Sequence, residues 1–187
     1  MNLNQWFDEG MDPNTYVESM TEHQDGLLHI YESFTPPEDS EFNKNLYSQN
    51  LRVIILTEDW CGDAMLNVPI LFRMAEQVNM PVKLLLRDEN LELMDHYLTN
   101  GRSRSIPIFI FIDEAGNEVA SWGPRADEIQ QFAAESQANL PPKDADGYQE
   151  KAREMHLFMS KTFRDDTDFW QIVYTSIRQT LKNALSR

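Results

Sequence analysis

Leu51-Arg52-Val53-Ile54-Ile55-Leu56, then Thr57-Glu58-Asp59, then Trp60-Cys61-Gly62-Asp63-Ala64 is the stretch on which the fold turns. Apart from Arg52, residues 51–56 form an unbroken apolar run, as expected of a strand covered on both faces of a sheet. From Gly62 to Asn79, Leu66, Ile70, Leu71, Met74 and Val78 recur at helical spacing, so a helix follows. Cys61 is the single cysteine of the chain and falls where strand gives way to helix. There, amide N–H groups and the positive end of the helix dipole favour a thiolate.

Working outward, Val82 to Arg87 is a second strand, and its helical connection to the first makes a parallel βαβ unit. Pro69 inside the connecting helix removes one hydrogen bond and predicts a kink. Leu91 to Thr99 reads as a helix capped by Asn100-Gly101. Ser105-Ile106-Pro107 opens a strand over Ile108 to Ile112, and Glu114-Ala115-Gly116-Asn117 turns back into Glu118 to Trp122 as an antiparallel hairpin. Asp127 to Gln137 closes this part as a helix.

Upstream, Asp12-Pro13 introduces one helical pattern over Asn14 to Phe34, ended by Pro36-Pro37. Glu38 to Gln49 is a shorter helix or loop. The chain thus divides into an N-terminal helical segment packed on the core (1–50), a core (51–138), a linker (139–147) and a C-terminal helical extension (148–187). In the extension, Tyr148 to Thr162 and Thr167 to Leu185 read as helices that pack on the domain or on a second subunit. The sequence does not choose between these.

The segment from about Leu51 to Ala138 resembles the thioredoxin superfamily, whose W-C-G-P-C signature stands at this strand-to-helix turn. Trp60, Cys61 and Gly62 match, Asp63 replaces the Pro, and Ala64 replaces the second, resolving cysteine. Ser105-Ile106-Pro107 is similar to the family's cis-proline loop, and Trp122-Gly123 to the Gly that ends its last strand. The resemblance implies an α/β thioredoxin-like fold, a mixed central sheet flanked by helices, with helical extensions at both ends. The family's usual opening strand has no clear counterpart before residue 51.

The resemblance also implies Cys61 as the catalytic thiol and Trp60, Ile106 and Pro107 as a substrate-binding wall and groove. A cis Ile106–Pro107 bond would leave the Ile106 N–H and C=O to pair with an extended chain. Without a second thiol at position 64, a mixed disulfide needs an external thiol for release. The carboxylate that the family often buries six residues before its first cysteine is absent, because Ile55 stands there. The implied activity is therefore monothiol thiol–disulfide exchange on protein disulfides or low-molecular-weight thiols, without a cofactor. The rival is a redox-silent module that uses the groove to hold a peptide or protein.

Charge bears on that choice. Glu58, Asp59 and Asp63 crowd Cys61 with negative charge and disfavour a thiolate, opposing the helix terminus. Arg102 and Arg104 precede the proline loop, where they either meet a substrate carboxylate or stay solvated. A Thr-x-x-Cys peroxidase spacing is not met, since Thr57 is one residue too far away.

The four histidines have no ligand spacing and one cysteine makes no zinc set, so no metal is expected. Asp165-Asp166-Thr167-Asp168 lacks the Gly and Glu of a calcium loop and reads as a helix cap. A net charge of −15 repels phosphate backbones and anionic lipid surfaces, which argues against nucleic-acid and membrane partners. The N-terminus lacks a signal-peptide pattern, and a lone cysteine suits a reducing cytoplasm.

Overall fold

The computed structural model describes residues 1–186, and its centre is the sheet that the apolar runs specify. β1 (Arg52–Thr57), β2 (Val82–Leu86), β3 (Ile108–Ile112) and β4 (Glu118–Trp122) lie in the order β2-β1-β3-β4. β1 and β2 are parallel, with Val53 opposite Val82, while β3 runs antiparallel to both β1 and β4. Every residue of β3, and β1 from Val53 onward, is buried, which explains the absence of polar alternation in both. β4, at the sheet edge, is largely solvent-facing with only Trp122 buried, and its pairing with β3 carries a register shift at Phe111/Ile112.

Helix α5 (Gly62–Gln77) follows β1 and is buried on almost every side, with Pro69 accommodated in its interior. Helices cover it from both ends of the chain. α3 (Gln24–Ser33) packs against it from the N-terminal segment; α8 (Tyr148–Asp165) and α9 (Thr167–Leu185) pack against it from the C-terminal extension. α7 (Asp127–Ala138) contacts both α8 and α9. Val173, Ile177 and Leu181 of α9 belong to the same buried cluster as Ile54, Leu66 and Phe109. The extension therefore packs on its own domain. Asp166 caps α9 by accepting the N–H groups of Asp168 and Phe169.

Two readings of local structure are corrected. Asn14 to Phe34 is not one helix: α2 (Pro13–Ser19) and α3 are separated at Met20–His23, with His23 in the left-handed region at φ 57°. The cause is distant in sequence. The Asp59 carboxylate accepts the Thr21 N–H (2.7 Å), the Thr21 hydroxyl (3.0 Å) and the Glu22 N–H (3.3 Å), which hold the chain in a turn. Leu91 to Thr99 is likewise not a continuous helix, since α6 spans only Leu91–Met94. The chain then turns at Asn100 and Gly101, both at positive φ, under a bridge between Thr99 and Ser103.

The N-terminal segment also contains α1 (Asn4–Glu9), which the apolar spacing did not signal, and α4 (Ser40–Ser48). In place of an opening strand, Met11 forms a single antiparallel bridge with Leu84 at the free edge of β2. Each residue donates its N–H to the other's carbonyl at 2.9 Å. Asp12 beside it pairs with Lys83 at 2.9 Å.

Candidate functional site around Cys61

Four residues after the end of β1, Cys61 is the N-cap of α5, with extended backbone. Trp60 points outward at 45% exposure, its ring 5.0 Å from the Arg87 guanidinium carbon. Cys61 does not share that exposure: it is 9% exposed, and its thiol donates to the Ile106 carbonyl at 3.5 Å. The Ile106–Pro107 peptide bond is cis, and Ile106 and Pro107 are both buried. The chain thus brings Trp60, Cys61, Ile106 and Pro107 together. Among the described residues the Ile106 N–H has no acceptor.

A second proline loop lies behind the first. Gly123–Pro124 is also cis, and a Cβ on Gly123 would sit 2.2 Å from the Pro107 carbonyl oxygen. Only glycine fits that approach, and its φ of +126° excludes other side chains independently. Asn67, on the second turn of α5, donates to the Pro124 carbonyl at 3.0 Å and ties the loop to the helix.

The residue after Pro124 is the one that sequence reasoning missed. Arg125 forms a two-pronged pair with Asp63, Nε to Oδ1 at 2.6 Å and Nη2 to Oδ2 at 2.7 Å, and its Nη1 donates to Gln130 at 3.0 Å. Asp63 occupies the first turn of α5, where a carboxylate is favoured by the helix dipole. The Gly-Pro-Arg triplet after the last strand was the available signal, but its partner lies 62 residues away.

These contacts settle the balance that sequence left open. Burial pushes the Cys61 thiol up to about 11, and the Asp63 carboxylate adds to the rise. The amide N–H groups of Ala64 and Asp63 and the charge of Arg125 oppose it without cancelling it. Burial and Asp63 thus outweigh the helix terminus and favour the protonated thiol at Cys61, whose sulfur is buried rather than open at the mouth of the helix.

The other acidic neighbours are engaged elsewhere. Glu58 is buried, accepts the Asp88 N–H at 2.8 Å, and has its carboxyl raised above the ordinary range by burial. Asp59 holds the α2–α3 turn. Beneath them Tyr16 shares a 3.2 Å hydrogen bond with Thr57, and burial pushes its hydroxyl up to about 12.

On the far side of α5, a Cβ at Gly62 would meet the Ser160 hydroxyl at 3.4 Å, so α8 crosses beside the motif. Gly62 leaves room for that approach, and Ala64 is buried. Arg104 is bound to Asp95 through two contacts of 2.7 and 2.9 Å, while Arg102 is exposed. No group of three or more His, Cys, Asp or Glu residues among those described is arranged to hold a metal ion. Nor is any described helix long and apolar enough to cross a membrane.

Comparisons with known proteins agree with the architecture. Residues 10–139 match the family model described as Thioredoxin. A 1.5 Å crystal structure of a Pseudomonas aeruginosa protein of unknown function superposes with a TM-score of 0.60 at 18% identity, covering 94% of this chain and 98% of that one. An HIV epitope-scaffold superposes with a TM-score of 0.58 at 18% identity, covering 94% and 99%. At such identity these structures establish the fold alone. No curated protein matches the chain. The family match spans well over half of the residues and includes the Trp-Cys-Gly turn and the cis-proline loop, and the chain belongs to the thioredoxin family.

Proposed function

We propose that this protein is a thioredoxin-fold binding module of the cytoplasm that holds an extended peptide segment at the Ile106–Pro107 groove, with Cys61 redox-silent in the resting protein. The observation that carries the reading is the position of the Cys61 sulfur, buried and donating to the Ile106 carbonyl. The free Ile106 N–H offers a strand-like partner one hydrogen bond, and the exposed face of Trp60 offers it an apolar wall.

A thiol held at about 11 is charged far less often at neutral pH than free cysteine near 8.5. The thiolate population falls about 300-fold, and higher intrinsic nucleophilicity recovers about 10- to 20-fold of that. Exchange at Cys61 is then at least about 15-fold slower than at free cysteine before burial slows it further.

Monothiol exchange is the second reading, favoured by one arrangement: the sulfur lies at a helix N-terminus beside a cis proline, with no second thiol to resolve an adduct. Cys61→Ser separates the two. Under the binding reading, partners cross-linked to the protein in cell extract are the same for the variant and the native chain. Loss of those partners with Cys61→Ser, together with ready formation of a mixed disulfide with glutathione disulfide at pH 7, would establish exchange instead.

A further inference from the structure

The N-terminal helices flank a half-open cleft away from the Cys61 turn. α2 leaves the Met11–Leu84 bridge and α3 returns along α5, and between them, the C-terminal half of α5 and the start of β2 lies a cleft of about 490 Å³. That volume falls within the range of small-molecule sites. Its walls are mainly apolar, supplied by Val17, Leu27, Leu28, Phe72, Ala75 and Met80.

Its polar lining includes the neutral Asn14, Asn79 and Tyr31, and its charged groups are of one sign. Glu18 and Glu76 line the cleft, and no Lys or Arg does. The Glu76 carboxylate is already satisfied, accepting the Tyr31 hydroxyl at 2.5 Å and Arg73 at 2.9 Å. Arg73, the neighbouring cation, is committed to Glu76, to the Phe34 carbonyl at 3.3 Å and to the face of Tyr31 at 5.3 Å. Glu18 has no ion-pair or side-chain hydrogen-bond partner among the described residues. An apolar interior with an unneutralised carboxylate at its edge is complementary to one ligand class.

We propose that the cleft between α2, α3 and α5 binds a small organic amine, its aryl or branched alkyl body against Leu28, Phe72 and Met80 and its ammonium group at Glu18. Arg73 is held off Glu18 by its three existing contacts, so the carboxylate remains available to the ligand. The site needs neither Cys61 nor the Ile106 loop, and it stands whichever reading of that groove is correct.

The test uses the full-length protein and three probes of matched body, 4-phenylbutylamine, 4-phenylbutan-1-ol and 4-phenylbutyrate, titrated at pH 7 with amide chemical shifts as readout. The expected result is saturable binding of the amine, with the largest shifts at Val17, Leu28 and Ala75, and weaker binding of the alcohol and the acid. Glu18→Gln should weaken the amine about two- to fivefold, the worth of an exposed ion pair, and leave the alcohol unchanged. Leu28→Trp, which fills the cleft, should abolish binding of all three. If Leu28→Trp does not fold, Glu18→Gln decides alone, since residue 18 is exposed. The proposal is overturned if the alcohol or the acid binds as tightly as the amine, if no probe saturates, or if the shifts map elsewhere.

Discussion

Replacing Asp63 with Asn should wake the Cys61 thiol. Asp63 acts on the sulfur through its charge, which opposes a thiolate directly, while the Arg125 it pairs with offsets part of that effect. In a medium of effective dielectric near 20, a unit charge within the same helical turn contributes on the order of 2 kcal/mol. Solvent screening at the partly open helix terminus halves that, leaving about one pKa unit from the removed charge. The charge of Arg125 already favours the thiolate and remains, so Asp63→Asn lowers the thiol by about one unit from about 11. The thiolate population at pH 7.4 then rises about 10-fold, and after the accompanying fall in nucleophilicity the rate rises about 3- to 4-fold. Iodoacetamide alkylation, followed by mass spectrometry from pH 6 to 10.5, reads the rate, and on the limb below the midpoint the ratio of variant to native rate reads how far the midpoint has moved. Arg125→Met leaves Asp63 unneutralised and should move the midpoint the other way. An unchanged or raised midpoint in Asp63→Asn would refute the electrostatic account, because burial alone would then set the thiol.

Three further outcomes follow from the packing. Asp59→Ala removes three hydrogen bonds to the α2–α3 turn and should cost about 1–2 kcal/mol in urea unfolding at pH 7. The Thr21 N–H foremost holds the Asp59 carboxyl below its ordinary range, so its stabilisation is present above the unfolded value near 3.9 and is lost as pH falls through the lower folded value. The gap between variant and native protein should therefore close below about pH 4. Gly123→Ala, which places a methyl 2.2 Å from the Pro107 carbonyl at φ +126°, should destabilise by more than about 2 kcal/mol by the same measurement. Ile177→Ala in α9 should cost about 2–5 kcal/mol within a single unfolding transition, since that side chain is fully buried in the core shared with the sheet.

The legible parts of this fold were those dictated by local pattern. β1 and β3 announce themselves because both faces are buried and their sequences are nearly unbroken apolar runs. α5, α7, α8 and α9 follow from helical spacing, and α9 also from its Asp166 cap. What escaped was set by contacts between distant residues. Nothing near Thr21 marks a helix break; the carboxylate that stabilises it is Asp59, 38 positions on. The reduction of the opening strand to Met11 depends on the free edge of β2, and the short α6 yields to a turn at Asn100-Gly101 that was mistaken for a cap.

At the site, the Trp-Cys-Gly frame and the proline loop located the residues that the fold brings together. The state of the sulfur was not legible, because the helix terminus and the acidic neighbours act with opposite sign. Their balance depends on burial and on Arg125, and neither is written into residues 57–64.

The most direct measurement is the titration of Cys61 itself, followed through the chemical shift of its selectively labelled β-carbon in the native protein. A midpoint near 11, with no inflection between pH 6 and 9, is the result that a buried thiol beside Asp63 requires. A midpoint at or below the free-cysteine value of about 8.5 would contradict it and return the sulfur to exchange chemistry.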